Sequence, residues 1–159
     1  MKRTCGIRIT AKLFLAAGAI ALVSASPGAM AQVWTGAGGD GNWSTGGNWA
    51  GGTAPATTGT STALTFGASA NYSPVVDAAW QVNLLFLSGA TPYSLTGSPL
   101  TVNGAGAAFD LSGAAHGIAN DLVLSSPLLL AHAFDLTLPG AISGPASLTK
   151  GGAGVLTIT

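Results

Sequence analysis

The chain has no glutamate, no arginine after Arg8 and a single cysteine, Cys5. Each shortage excludes something. Beyond Cys5 there is no thiol, so disulfides cannot hold a domain together. Nucleic acid and anionic lipid are bound mainly by clustered Lys and Arg, and no such cluster exists after Lys12. No apolar run approaches the ~20 residues a bilayer-spanning helix needs; Leu13–Val23, without a charge, is far shorter. After residue 31 runs of helical period are missing as well, which leaves little room for α-helix beyond the N-terminal signal helix.

What is present begins with charge placement. Lys2, Arg3, Arg8 and Lys12 are four of the five basic residues. The apolar stretch Leu13–Val23 follows, then Pro27 and Gly28, then Ala29-Met30-Ala31. Basic stretch, short apolar stretch and small-x-small site form the pattern of a secretory signal peptide. Residues 1–31 are therefore predicted to be removed, with Ala29 and Ala31 filling the peptidase pocket and Gln32 becoming the first residue. Cys5 precedes the apolar run, so it is not placed for lipid attachment. Intact mass of the exported protein checks this: it should begin at Gln32, cyclised to pyroglutamate, and a mass retaining residues 1–31 would refute cleavage.

After residue 31, one Lys (Lys150) stands against five Asp (Asp40, Asp77, Asp110, Asp121, Asp135), a formal charge of −4. The Gly, Ser and Thr content would suit a disordered chain, but the many Leu and Val residues would not. Residues 32–62 are rich in Gly, Thr and Trp and are predicted to form an N-terminal capping segment. From Ala63 onward, Tyr93-Ser94-Leu95, Leu100-Thr101-Val102, Phe109-Asp110-Leu111, Leu122-Val123-Leu124, Phe134 to Leu138 and Leu156-Thr157-Ile158 place apolar residues two apart. That alternation predicts short strands with one face buried. Val82 to Phe86 reads as a further strand behind a core Trp80. Glycines at 97, 104, 113 and 140 fit tight corners. Strands so short and so often turned predict an all-β, right-handed parallel β-helix (a solenoid) over 63–159; a β-sandwich is the alternative.

Residues 141–158, Ala-Ile-Ser-Gly-Pro-Ala-Ser-Leu-Thr-Lys-Gly-Gly-Ala-Gly-Val-Leu-Thr-Ile, carry a sharper pattern. They resemble the autotransporter-associated β-strand repeat, roughly I-x-G-x-G-x-L-x-K-x-G-x-G-x-L-x-L. Ile142, Gly144, Leu148, Lys150, Gly152, Gly154, Leu156 and Ile158 fall on it; Ala146 and Val155 depart from it. The Trp-rich opening of residues 34–55 resembles the segment found before such repeats. The resemblance implies a β-helical passenger segment of an exported bacterial surface protein, a structural or adhesive stalk bringing no catalytic residues, cofactor or metal. Its partners would be the secretion machinery, downstream repeats with an outer-membrane barrel, and a host or matrix glycan or protein, not nucleic acid. The Ser/Thr-Gly-Ala/Asn-Asn-x-Tyr segment that usually follows is missing after Thr159, so the chain reads as a fragment or a truncated product.

The rival class is a polysaccharide-active β-helix. A lyase needs Arg or Lys against a uronate, and only the repeat-pattern Lys150 remains. A hydrolase needs two carboxylates about 5–10 Å apart; Asp110, Asp121 and Asp135 recur at coil-like spacing. As outward strand positions they predict little loss of stability on change to Asn. His116 and His132 read as surface or corner residues without zinc-site spacing. Gly38-Gly39-Asp40-Gly41 resembles the start of one calcium nonapeptide, with Trp43 where a ligand Asp belongs. Trp34, Trp43 and Trp49 are candidates for stacking on sugar rings, against the reading that they plug the first coil.

Overall fold

A computed structural model describes residues 31–159. The basic and apolar stretches of the signal-peptide reading, and Ala29, lie outside the described residues. Ala31 is exposed and Gln32 opens the first strand.

The described residues form fifteen short strands and one 3-10 turn, Gly46–Asn48. In chain order the strands are β1 (Gln32–Trp34), β2 (Ala63–Phe66), β3 (Val75–Val76), β4 (Trp80–Val82), β5 (Leu84–Leu87), β6 (Ser94–Gly97), β7 (Leu100–Val102) and β8 (Ala108–Leu111). They continue with β9 (His116–Ile118), β10 (Leu122–Leu124), β11 (Leu128–His132), β12 (Leu136–Leu138), β13 (Ile142–Ser143), β14 (Leu148–Gly151) and β15 (Leu156–Ile158). Every strand-to-strand ladder is parallel. The strands sort into three sheets: β1-β2-β5-β8-β11-β14, β4-β7-β10-β13 and β3-β6-β9-β12-β15. Each circuit of the chain visits all three, giving a β-solenoid of about five coils.

The period-2 pattern drives this arrangement. Alternate residues of each strand point inward, and parallel pairing stacks them in columns along the axis. On the first sheet Leu64, Leu85, Phe109 and Leu130 form one column, and Phe66, Leu87 and Leu111 another. On the second, Trp80, Leu100, Leu122 and Ile142 stack in register. Except for Ile142 in the last coil, these side chains are buried. Fully burying a Leu or Phe contributes about 1.5–3 kcal/mol, so the columns are the main stabilising feature. Coil length varies only at the corners: 24 residues separate Leu85 from its partner Phe109, and 20 separate Leu130 from Lys150.

Two expected strands are drawn differently. Val82–Phe86 is not one strand but the end of β4 and most of β5, with a corner at Asn83. The Asn83 amide donates to the carbonyls of Asn103 (3.1 Å) and Ala105 (3.3 Å), and its backbone N–H to Thr62 (3.0 Å), which fixes the turn. Val82 and Leu85, three apart, are both inward because the corner breaks the alternation. Phe134 likewise lies outside β12 on an exposed corner. There its carbonyl accepts from Nδ1 of His132 at 2.9 Å.

Candidate functional site

The first end of the solenoid is closed by residues 35–62, which fold back over it. Trp34 of β1 pairs in parallel with Phe66 and makes an antiparallel bridge to Trp49. Trp34, Trp43, Trp49, Phe66 and Trp80 then pack as one aromatic cluster. The Trp34–Trp49 ring centroids are 5.2 Å apart at 81°, Trp43–Trp49 5.9 Å at 82° and Trp43–Trp80 5.7 Å at 76°. These edge-to-face pairs are worth about 0.5–1.5 kcal/mol each beyond their burial. The Trp34 indole N–H donates to Asn71 O (2.8 Å) and that of Trp49 to Trp43 O (2.7 Å). Trp34 and Trp43 are 0 % exposed and Trp49 2 %. The sugar-stacking candidacy of Trp34, Trp43 and Trp49 is thereby corrected: stacking needs an exposed ring face, and theirs are spent on one another.

A polar network ties the cap down from outside. The Asp40 carboxylate accepts from the Asn42 backbone N–H (3.0 Å), the Thr45 hydroxyl (2.8 Å) and the Asn48 amide (2.8 Å). The Asp77 carboxylate, from beyond β3, accepts from the Ser44 N–H at 3.0 Å and from the Ser44 hydroxyl. In the segment compared with a calcium loop, Asp40 is thus satisfied by protein donors. The Asn42 N–H, then the Thr45 hydroxyl, hold its carboxyl below the usual carboxylate range. A depressed folded-state pKa contributes stability above the unfolded value, about 3.9, that is lost as pH falls through the folded value. The cap should therefore hold through pH 5 and weaken below about pH 4. Tryptophan fluorescence during acid titration checks this, and Asp40→Asn should remove that acid-linked step.

The carboxylates of the hydrolase reading are not brought together. Asp110 lies on β8 of the first sheet, Asp121 at the corner before β10, and Asp135 at the corner before β12. They occupy three different sides of the coil. Two of them are not simply solvated, as their outward positions predict. Asp121 Oδ1 accepts from the Ala141 N–H at 2.8 Å, and Asp135 Oδ1 from the Val155 N–H at 3.0 Å, each 20 residues on. Each staples its coil to the next. Asp121→Ala and Asp135→Ala should each cost about 1 kcal/mol, Asp→Asn less because an acceptor remains, and Asp110→Ala close to nothing. Urea midpoints of the three variants check the order.

The histidines are corrected too. His116 is 3 % exposed and His132 2 %, on inward positions of β9 and β11. Backbone bonds make this affordable. His116 Nδ1 accepts from the Tyr93 N–H (3.0 Å), so its Nε2 carries the proton and donates to Ser112 O (2.9 Å). His132 donates through Nδ1, leaving Nε2 buried without a partner among the described residues. The Tyr93 phenol donates to Gly67 O at 2.6 Å, and burial pushes its pKa above the ordinary phenol value. Among the described residues no three His, Cys, Asp or Glu side chains group as metal ligands.

The repeat-like residues make one complete coil, β13 to β15. Ile142 stacks on Leu122, Leu148 on Leu128, Leu156 on Leu136 and Ile158 on Leu138. Gly144 and Gly152 turn corners at φ +109° and +79°, and Gly154 is buried against the Phe134 carbonyl. Lys150 stands in the inward column above Leu130, its Nζ donating to Gly152 O at 3.0 Å. Comparison with known protein families, curated proteins and solved structures finds no match to this chain.

The outer faces of the sheets differ in character. The second sheet shows Gln81, Thr101, Val123 and Ser143, and the third shows Gly117, Thr137 and Thr157. The first shows Val33, Thr65, Phe86, Asp110 and Ala131 in one column and Ala63, Leu84, Ala108, Leu129 and Thr149 in the next. A shallow groove of about 510 Å³ along its edge is lined by Ala105–Ala108, Pro127, Leu128, Leu129 and Thr149, with no ionisable side chain.

Proposed function

We propose that the chain is a structural or adhesive β-helical passenger module of an exported bacterial cell-surface protein. The observation that carries the reading is that one repeat-like segment, residues 141–158, builds one complete coil, with its apolar positions on the inward columns and its glycines at the corners. A sequence unit that equals one coil lengthens the rod by one strand spacing, about 4.8 Å, whenever it recurs. That is how a stalk is extended. The Asp121 and Asp135 carboxylates staple coils together, a structural use of residues that a hydrolase would need to converge.

The full chain expressed in a Gram-negative host tests this. Export with loss of residues 1–31, and no turnover of soluble glycans by the purified protein, is the expected result. Retention of the uncut chain in the cytoplasm would overturn the surface role. Turnover abolished by one Asp→Asn variant would overturn the structural one in favour of a polysaccharide-active β-helix.

A further inference from the structure

Asn103 and Gly104 are the only Asn-Gly pair in the chain; the other asparagines precede Trp, Tyr, Leu or Asp. Such a pair carries its own chemistry. The Gly104 backbone nitrogen can attack the Asn103 side-chain carbon Cγ, because glycine has no Cβ to hold the two apart. The new N–Cγ bond closes a succinimide ring, and the Cγ–Nδ2 bond breaks to release ammonia. Water then opens the ring at either carbonyl, leaving aspartate at 103 or an isoaspartate linked through its side chain. Nothing is oxidised or reduced, and water is the only co-reactant.

The fold restrains both reacting groups. The pair sits at the corner after β7, and the coils on either side hold it. From the coil before, Gln81 Oε1 accepts from Asn103 Nδ2 at 3.1 Å, and the Asn83 amide donates to the Asn103 carbonyl at 3.1 Å. From the coil after, Ser126 Oγ accepts from the Gly104 N–H at 3.1 Å. The attacking nitrogen is thus bonded one way along the axis and the amide under attack the other way. Gly104 is buried, and a Cβ there would run into the Thr60 carbonyl, which leaves the backbone little room to turn.

We propose that Asn103–Gly104 is a latent modification site, locked while the coils are stacked and released when this corner opens. Attack requires the Ser126 and Gln81 bonds to break together, so its rate follows the population of the open corner. The product does not fit back. Gln81 Oε1 also accepts from the Gly59 N–H at 3.2 Å. A carboxylate at 103 sets oxygen against oxygen, and turning the Gln81 amide to meet it leaves the Gly59 N–H without its acceptor. Isoaspartate adds a methylene to the backbone, which shifts the corner against the coils on both sides. A corner that has opened and reacted does not reclose as before.

The test incubates the full chain at mildly alkaline pH, folded and in urea, and follows aspartate and isoaspartate at 103 by peptide mapping. The expected result is slow reaction in the folded parent and fast reaction in the unfolded chain. Folded Ser126→Ala should react about fivefold faster than the folded parent, the effect of one lost hydrogen bond. Asn103→Asp should lower the urea midpoint. Equal rates in the folded and unfolded parent, no acceleration in folded Ser126→Ala, or an Asn103→Asp chain as stable as the parent would overturn the proposal.

Discussion

Replacing Trp49 with alanine is expected to destabilise the protein by about 3–5 kcal/mol, the range for removing a buried aromatic. The indole lies against Trp34, Trp43 and Phe66, with centroid distances of 5.2, 5.9 and 5.8 Å. Its removal also strands the Trp43 carbonyl, which accepts the indole N–H at 2.7 Å in a buried place. A solenoid coil depends on its neighbours, so loosening the cap exposes the edges of β1, β3 and β4 together. Trp49→Phe keeps most of the burial and loses only the hydrogen bond, about 1 kcal/mol. Urea unfolding followed by tryptophan fluorescence should separate the two variants. An alanine variant within 1 kcal/mol of the parent would mean the cap does not support the coils behind it.

Gly104→Ala is expected to be nearly as damaging, through the backbone. Gly104 sits at φ +103°, beyond the left-handed region an L-residue tolerates, and an added Cβ would run into the Thr60 carbonyl. The corner cannot drift away, because the Gly104 N–H donates to Ser126 Oγ at 3.1 Å. Strain of about 1–3 kcal/mol adds to overpacking of about 1–3 kcal/mol. Gly106, two residues on at φ +69° with nothing near a Cβ, is the contrast: alanine there should cost only about 1 kcal/mol. Thermal unfolding of both variants checks the difference. Equal losses would show that positive φ alone, not the packing of one coil on the next, sets the cost.

The period-2 strands were legible because inward and outward positions alternate within a few residues. Leu100–Val102, Leu122–Leu124 and Leu156–Ile158 appear where the alternation puts them. The segment 141–158 was legible as a unit through its resemblance to a known repeat pattern rather than through alternation. Corners were harder. Asn83 breaks Val82–Phe86 into two strands through bonds to residues 20 and 22 positions away, which no local window contains. β9 was missed because His116-Gly117-Ile118 offers one ordinary apolar residue. Its histidine is inward only because Tyr93 and Ser112 satisfy both ring nitrogens. The roles of Asp121 and Asp135 depend on which backbone N–H lies one coil above. Alternation identifies an outward residue but not its neighbour along the axis. The Trp-rich segment was readable as a cap in composition. That it supplies β1 to the first sheet, with Trp34 paired to Phe66 32 positions on, was not.

The central claim is that all three sheets are parallel and that residues about one coil apart lie side by side. Amide and Hα NOEs on isotope-labelled protein test it directly. The account predicts parallel-strand contacts linking Thr101 with Val123, Ala108 with Leu129, and Gly117 with Thr137. It predicts no close Hα–Hα contacts between neighbouring strands of a sheet. Short Hα–Hα contacts between consecutive strands such as β7 and β8, the mark of antiparallel pairing in a sandwich, would contradict it.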